Sequence, residues 1–409
     1  MNKTTDAELK RNVPAPLLAL YGLGTILGAG IYVLIGEIAG KAGIYAPLTF
    51  LVASIVAAFT AFSFAELAVR VPRSGGPVAY VSTAFGSRWL SITTGWMIAA
   101  TGIVSAATIT TGFAGYFQIF LSLPELPLMI GLVLLLGAIA AVGMKGTAWF
   151  MGITTVAGLS GLIIILVVTA GNFSELPGRL SEAQPLSSTT ALSGIVLGAF
   201  LAFYAYIGFE DIVHVSEEAK NVSKAMPLAI LFALIVSLFF YITVSMGAVL
   251  TLSAEALADS KAPLVDVMKA EGYSGNILGA LSLFIIVNGA LAQIVMASRV
   301  FHDMGRHLNG VPKWLSRINH HTHTPLMATL LIVFIIILLV TFLPTEKLAQ
   351  VTSFIILIVF ALSNFALIRL KKQRPTHNGF SVPLWVPYVG ATLCILMITG
   401  QFFVANASH

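Results

Sequence analysis

The chain has 409 residues, of which 57% are hydrophobic and 10% are charged, and its mean hydropathy is +0.94. Soluble domains carry about 25% charged residues, so this composition excludes a soluble globular protein and indicates many membrane-spanning segments. The formal net charge of +5 is not gathered in a basic block, which argues against nucleic-acid binding. The single cysteine, Cys394, excludes an intramolecular disulfide.

Apolar segments recur along the whole chain, and each is long enough to cross ~30 Å of hydrocarbon as a helix of about 20 residues. They are continuous and do not alternate every second residue, so they predict helices and not the strands of a β-barrel. The expected fold is an all-α polytopic membrane protein that forms a single transmembrane domain over residues 1–409. The eleven segments are 14–38, 43–69, 89–120, 125–143, 149–170, 190–214, 226–252, 275–303, 325–343, 348–370 and 384–404.

The connections between these segments differ in their content of basic residues. If the N-terminus is cytoplasmic, 17 of the 22 lysines and arginines fall on the cytoplasmic side and 5 on the outside. Cytoplasmic loops of membrane proteins carry an excess of these residues. The sequence therefore predicts a cytoplasmic N-terminus and, with eleven spans, an external C-terminus.

The first segment contains the stretch "GLGTILGAGIY" at 22–32, with four glycines in nine residues. Each glycine costs a helix roughly 1 kcal/mol relative to alanine. A dinucleotide-binding loop is excluded, because no strand precedes the stretch and the spacing is GxGxxxG. Two interpretations remain: close helix packing at Gly24 and Gly28, and unwound backbone at Gly28, Ala29 and Gly30, whose amides would bind a carboxylate.

The sixth segment contains a second interrupted stretch, "FYAYIGFED", at 203–211. Gly208 is followed by Glu210 and Asp211, and carboxylates within a membrane segment are costly enough to be functional candidates by default. Placement near the membrane surface is the alternative for Asp211. Glu210 is the stronger candidate of the two.

The two interrupted segments are five spans apart, so they cross the membrane in opposite directions. Paired interruptions of this kind are typical of transporters built from inverted repeats, with the substrate site near the membrane midplane. The expected repeats cover about 14–170 and 190–370, and the segment at about 384–404 is an additional helix.

Other polar residues allow weaker inferences. Asn288 and Gln293 lie within the eighth segment, where interhelical hydrogen bonding is the expected role and pocket lining the alternative. His320, His321 and His323 are expected to be solvated loop residues, since their stretch holds no acidic or cysteine ligand. We predict no bound metal or other cofactor. Neither a Ser/His/Asp nor an HExxH arrangement lies at membrane depth, so an enzyme is not expected.

Four stretches resemble, in order and spacing, the amino acid–polyamine–organocation transporters. They are "GLGTILGAGIYVLIGEIAGKAG", "FSFAELAVRVPRSGGPVAYV", "FYAYIGFEDIVHVSEEAKNVSKAMPLAI" and "ASRVFHDMGRHLNGVPKW". The resemblance implies a LeuT-like fold with two inverted five-helix repeats and broken helices 1 and 6.

The resemblance also implies a substrate site. The substrate carboxylate would bind the amides of Gly28, Ala29 and Gly30, and its amino group would meet the carbonyls of Ile26, Tyr204 and Ile207. Tyr204 would also cover the pocket, and Glu210 would be linked to protons. The implied substrate-binding residues are Ile26, Gly28, Ala29, Gly30, Phe203, Tyr204, Ile207 and Gly208, and the implied coupling or gating residues are Tyr204, Glu210 and Asp211.

Three departures from the family pattern concern the coupling ion and the number of spans. Some proton-coupled members carry a lysine in helix 5, and the corresponding position in this chain, counted from Lys145, is Gly158. Members similar to the cationic amino acid transporters carry a glutamate in helix 3, and the corresponding residue here is Thr101. The familiar sodium site uses hydroxyl ligands of helix 8, but residues 283–297 hold no Ser or Thr. Family members usually have twelve spans or more, whereas this chain has eleven.

The predicted function is secondary active transport of an amino acid across the cytoplasmic membrane by alternating access. Proton-coupled symport or exchange is the expected coupling, and the expected partners are the amino acid, protons and the lipid bilayer. A carrier of polyamines or cationic amino acids is the alternative, and an amino acid sensor that does not transport is a remote one.

Overall fold

The computed structural model describes residues 14–407 except 74, 143–146, 320, 321, 323 and 375–378. All regular secondary structure in these residues is helical. The α-helices are α1 Ala15–Ile26, α2 Gly30–Ala42, α3 Ala46–Arg70, α4 Gly76–Phe85, α5 Arg88–Phe117, α6 Glu125–Val142, α7 Thr147–Thr169, α8 Leu176–Glu182, α9 Thr189–Tyr204, α10 Val222–Thr251, α11 Ala254–Asp259, α12 Pro263–Ala270, α13 Asn276–Asp303, α14 Lys313–Ser316, α15 Leu326–Phe342, α16 Thr345–Gln373 and α17 Trp385–Ala407.

Each predicted membrane segment coincides with one helix or with two helices separated by a short break. Among the described residues, nine helical stretches are long and apolar enough to span a membrane, and one of them, Gly30–Arg70, contains both α2 and α3. The shorter apolar helices α1 and α15 complete the set. The prediction of an all-α polytopic membrane protein is therefore confirmed.

Two of the predicted segments are interrupted where glycine weakens them. α1 ends at Ile26 and α2 begins at Gly30. In the sixth segment α9 ends at Tyr204, and a 3-10 helix, Phe209–Glu218, follows after four residues of turn. The predicted breaks in helices 1 and 6 are confirmed, whereas the boundaries of the two inverted repeats stay a prediction.

Helix packing surrounds the two breaks. The most extensive contacts join α5 with α13, α3 with α10, α5 with α16 and α1 with α10. Gly24 lies against α7, where an added Cβ would collide with the Thr155 hydroxyl. A Cβ at Gly28 would meet only the carbonyl oxygens of Thr25 and Gly24 in the preceding turn, the nearer at 3.5 Å. The packing interpretation therefore holds for Gly24 and not for Gly28, because among the described residues no atom of another helix lies within 4 Å of a Cβ at Gly28.

An ionic cluster ties α17 to the core. The carboxylate of Glu66 on α3 is fully buried and accepts hydrogen bonds from Arg70 Nε at 2.7 Å and from Lys371 Nζ at 2.7 and 2.8 Å. The backbone N–H of Val382, just before α17, donates to the same carboxylate at 2.7 Å. One buried anion thus joins α3, the end of α16 and the start of α17.

Candidate functional site

The break in the first segment exposes backbone amides. The last turn of α1 closes with Leu27 N–H donating to Leu23 O at 2.8 Å, and the first bond of α2 runs from Val33 N–H to Ala29 O at 2.9 Å. The N–H groups of Gly28 and Ala29 have no acceptor among the described residues. The first turn of a helix adds further N–H groups without intrahelical acceptors. This cluster is suited to binding an anion such as a carboxylate.

The second break lies against the first. Gly208 has φ +129°, and a Cβ there would come within 2.5 Å of Thr25 O. The Thr25 hydroxyl donates to Gly208 O at 2.9 Å. A Cβ at Gly30 would lie 2.7 Å from Ala205 Cα. Glycine at 30 and 208 thus permits the two breaks to touch, which a side chain would prevent.

Tyr241 on α10 contacts the carbonyl groups of both breaks. Its buried hydroxyl lies 2.6 Å from Ile26 O and 2.7 Å from Ala205 O. A phenol has one hydrogen to donate, so the two carbonyl oxygens share it. Each carbonyl oxygen has two lone pairs, and both therefore retain the capacity to accept another hydrogen bond.

A cavity of about 40 Å³ lies where the two breaks meet. A cavity of 10–15 Å³ holds one water molecule, so this one has space for about three. Its lining comes from α1, the break after it and the start of α2, the end of α9 and the turn that follows, the 3-10 helix, α5 and α13. The sequence-predicted residues in the lining are Ile26, Gly28, Ala29, Gly30, Tyr204, Ile207 and Asp211.

Three other predicted residues lie outside the lining. Phe203 is fully buried and packs against the ring of Phe360, with centroids 5.9 Å apart. Gly208 packs on α1 as described, and its N–H donates to Glu210 Oε2 at 2.9 Å. Glu210 is 7% exposed, so its carboxylate is held beside the break, one residue from the cavity-lining Asp211.

Several lining residues were not among the predicted site residues. They are Ser105 and Ile109 of α5, and Asn288, Gly289, Ala292 and Gln293 of α13, together with Gly24, Thr25 and Ala205 beside the breaks. The Tyr204 hydroxyl lies 2.9 Å from Ser105 Oγ and 3.2 Å from Ser105 O, which fixes this aromatic ring across the cavity. Ser105 carried no signal, because serine is common in apolar helices.

For Asn288 and Gln293, polar residues within the eighth segment, the sequence predicts interhelical hydrogen bonding, with pocket lining as the alternative. Both line the cavity. Oε1 of Gln293 is buried and has no hydrogen-bond partner among the described residues. For Gln293 the structure therefore favours the alternative interpretation, pocket lining.

Gly158 and Thr101, which stand where some family members carry a lysine and a glutamate, make other contacts in this structure. Gly158 O accepts a hydrogen bond from Tyr32 Oη at 2.9 Å, and the side chain of Ile285 occupies the space where a Cβ would begin. Thr101 Oγ1 donates to Met97 O at 2.9 Å within its own helix. Lys145 and the histidines at 320, 321 and 323 lie outside the described residues.

Comparison with known proteins gives one consistent family. The profile of a family described as amino acid permease matches residues 18–409. The branched-chain amino acid permease of Bacillus subtilis is 27% identical to this chain over 96% of the chain and 88% of its own length. The methylthioribose transporter of Bacillus subtilis is 27% identical over 96% and 89%. The human cationic amino acid transporter 4 is 26% identical over 92% of this chain, which spans 62% of that protein.

Proposed function

The chain belongs to the amino acid permease family, and we propose that it carries a small amino acid across the membrane by alternating access. One observation carries the proposal: free amides of one helix break and carbonyls of both breaks meet at one cavity. Such an arrangement at the centre of a membrane protein is typical of transporters with discontinuous helices.

Recognition of the amino acid backbone follows from the two breaks. The substrate carboxylate binds the amides of Gly28, Ala29 and Gly30, since the start of α2 is the positive end of a helix dipole. The ammonium group binds the carbonyls of Ile26, Tyr204 and Ile207. The shared hydrogen of Tyr241 supports this assignment, because Ile26 O keeps acceptor capacity.

Transport requires the cavity to open to each side of the membrane in turn. We place the chain in the cytoplasmic membrane with its N-terminus inside, on the distribution of basic residues. Tyr204, held by Ser105 across the cavity, is the gating residue. The two inverted repeats, about 14–170 and 190–370, move relative to each other.

The first experiment is uptake of a panel of labelled amino acids into proteoliposomes, with and without a pH gradient. We expect saturable uptake of one or a few L-amino acids that is driven by an inward proton gradient or by counter-substrate inside. Binding without uptake or exchange under any gradient would mean that the protein is a sensor and would refute transport.

Proton coupling is assigned to Glu210, because an ionised carboxylate buried at membrane depth is costly and its charge changes as the site opens to water. Glu210→Gln keeps an oxygen that accepts from Gly208 N–H, so we expect uptake to persist but to lose its dependence on pH. The control is Glu255→Gln, an exposed residue of α11. Unchanged pH dependence in Glu210→Gln would exclude this role.

A carrier of cationic amino acids or polyamines is the second candidate. The carboxylate-bearing residue Asp211 lines the cavity, and a relative is named as a cationic amino acid transporter. A substrate with a distal amine would pair with Asp211. Competition by lysine or putrescine against uptake of a labelled neutral amino acid distinguishes the candidates, since only the second predicts strong inhibition.

A further inference from the structure

A second cavity lies on the outside of the bundle, far larger than the central one. Its volume is about 410 Å³, and it is open to the surface between α4, the start of α5 and the end of α16. Phe85, Leu90, Leu362 and Phe365 form its apolar wall, and Arg369 and Lys372 lie at its end.

The two cations at the end of this groove belong to the same helix. Arg369 and Lys372 are three residues apart on α16, so they lie on one helix face. The guanidinium Cζ of Arg369 lies 5.1 Å from the centre of the Phe85 ring, and Lys372 Nζ lies 5.7 Å from the centre of the Tyr388 ring. Neither pairs with an acidic side chain among the described residues.

In the described part of the chain, two neighbouring cations at the same end of the bundle, unlike Arg369 and Lys372, are paired with a carboxylate. Arg70 and Lys371 both bind the buried carboxylate of Glu66. The ring contacts hold Arg369 and Lys372 in place without reducing their charge. Positive charge is therefore concentrated at the mouth of the groove.

The residues in and around the groove are of the kinds found where hydrocarbon meets headgroups. Its apolar wall includes Phe365, which is 40% exposed on a membrane-spanning helix. Trp89 at the start of α5 is 73% exposed and Tyr388 is 43% exposed, and such aromatic residues concentrate at membrane interfaces. An apolar channel below the interface and paired cations at it match one acyl chain and one anionic headgroup.

We propose that this groove is a binding site for an anionic phospholipid, with one acyl chain along Leu90, Leu362 and Phe365 and the phosphate between Arg369 and Lys372. Basic pockets at the cytoplasmic side of membrane helices bind anionic headgroups. A zwitterionic lipid fits less well, because its own cation would meet the two basic side chains. A free phosphate ion would leave the apolar wall unused.

The test is native mass spectrometry of the full-length protein titrated with phosphatidylglycerol or phosphatidylcholine of the same acyl chains. We expect one tightly retained phosphatidylglycerol and no matching phosphatidylcholine. Arg369→Gln with Lys372→Gln should weaken phosphatidylglycerol binding about thirty-fold, the effect of two interfacial charges. The control is Arg299→Gln with Lys313→Gln, which removes two exposed cations of α13 and α14 and should leave that lipid bound.

A third variant distinguishes binding of the lipid in the groove from general attraction of anionic lipid to basic residues. Leu362→Trp adds bulk to the groove without changing its charge and should also displace the lipid. Equal loss in the control double variant, equal retention of the two lipids, or full retention in Leu362→Trp would overturn the proposal. Displacement of the lipid by millimolar glycerol phosphate would mean that the site takes free phosphate and would equally refute it.

Discussion

Gly28 and Gly30 differ in what a side chain would meet at each position. A Cβ at Gly28 has Thr25 O as its nearest neighbour at 3.5 Å, an ordinary contact, and Gly28 lines the cavity. A Cβ at Gly30 would collide with Ala205 at 2.7 Å. Gly30→Val is therefore expected to abolish binding by separating the two breaks, and only Gly28 tests the anion site without that disturbance.

The prediction for Gly28→Ala is a loss of substrate affinity of about tenfold or more with little change in thermal stability. The added methyl group occupies the space beside amides that we assign to the carboxylate. Equilibrium binding of labelled substrate to purified protein measures the effect. Gly131→Ala on α6 is the matched control, since a Cβ there meets nothing within 4 Å; unchanged affinity in Gly28→Ala would refute the carboxylate assignment.

Gln293 is predicted to select the substrate side chain. Its buried Oε1 lacks a donor among the described residues, and a substrate hydroxyl or amide would supply one. Sites built to form a hydrogen bond discriminate strongly against substrates that lack the partner group. Gln293→Leu should therefore lower the preference for serine over alanine about tenfold, measured as the ratio of their KM values.

Gln401→Leu on α17 is the control for Gln293→Leu. Its Oε1 is also buried without a partner among the described residues, but the side chain is not part of the cavity lining. The same ratio of KM values in wild type and Gln293→Leu would exclude Gln293 as a specificity residue.

At the scale of elements, the two broken helices form one structural unit because three contacts join their breaks. Gly30 lies against Ala205, Thr25 donates to Gly208 O, and Tyr241 binds carbonyl groups of both breaks. Irregular backbone at membrane depth is tolerated only where protein or a cavity satisfies it. Tyr241 is the only one of these links that reaches from a third helix, α10.

Tyr241→Phe is predicted to weaken substrate binding about tenfold while leaving the fold intact. Loss of the hydroxyl leaves two buried carbonyls without their shared donor, at a cost of about 1–3 kcal/mol. Tyr116→Phe is the matched control, because its buried hydroxyl also donates to a carbonyl, Tyr32 O at 2.9 Å, and neither residue lines the cavity. Equal losses of affinity in the two variants would show a general packing effect and contradict the assignment.

The sequence predicted the membrane elements well and the connecting elements poorly. Long apolar runs and the glycines at 28, 30 and 208 are local signals, and they predicted the helices and both breaks. α4, in the connection after α3, was not predicted, since its ten residues "GPVAYVSTAF" are too few for a membrane segment. Its position depends on packing against α5 and α16.

At the scale of the whole molecule, the buried carboxylate of Glu66 holds distant parts of the chain together. Removing one partner of a buried ion pair leaves an uncompensated charge and costs roughly 3–5 kcal/mol, whereas exposed pairs contribute about 0–1 kcal/mol. The bonds to Lys371 and to Val382 span more than three hundred residues of sequence. The cluster is therefore expected to stabilise the attachment of α17.

Glu66→Gln is predicted to lower the thermal unfolding temperature of the protein in detergent by more than its control does, because Arg70 and Lys371 would keep their charges without a counter-ion. Glu125→Gln is the matched control, because it removes an exposed ion pair with Lys261. The side chain of Glu125 is 39% exposed and that of Lys261 is 62% exposed. We expect at most a small shift for the control. A similar small shift in both variants would mean that the buried cluster contributes little to stability.

The sequence by itself determined the fold class, the helix segments and the two breaks, because backbone in a membrane must satisfy its hydrogen bonds within each segment. Only the tertiary structure decided which side chains face the cavity. The lining residues Ser105, Tyr204 and Gln293 come from three helices far apart in sequence, and Phe203 and Glu210 lie outside the lining although they adjoin residues within it. The direction of a side chain on a membrane helix depends on how the helix is rotated when it packs against its neighbours. An apolar segment without a polar face does not indicate that rotation in its sequence.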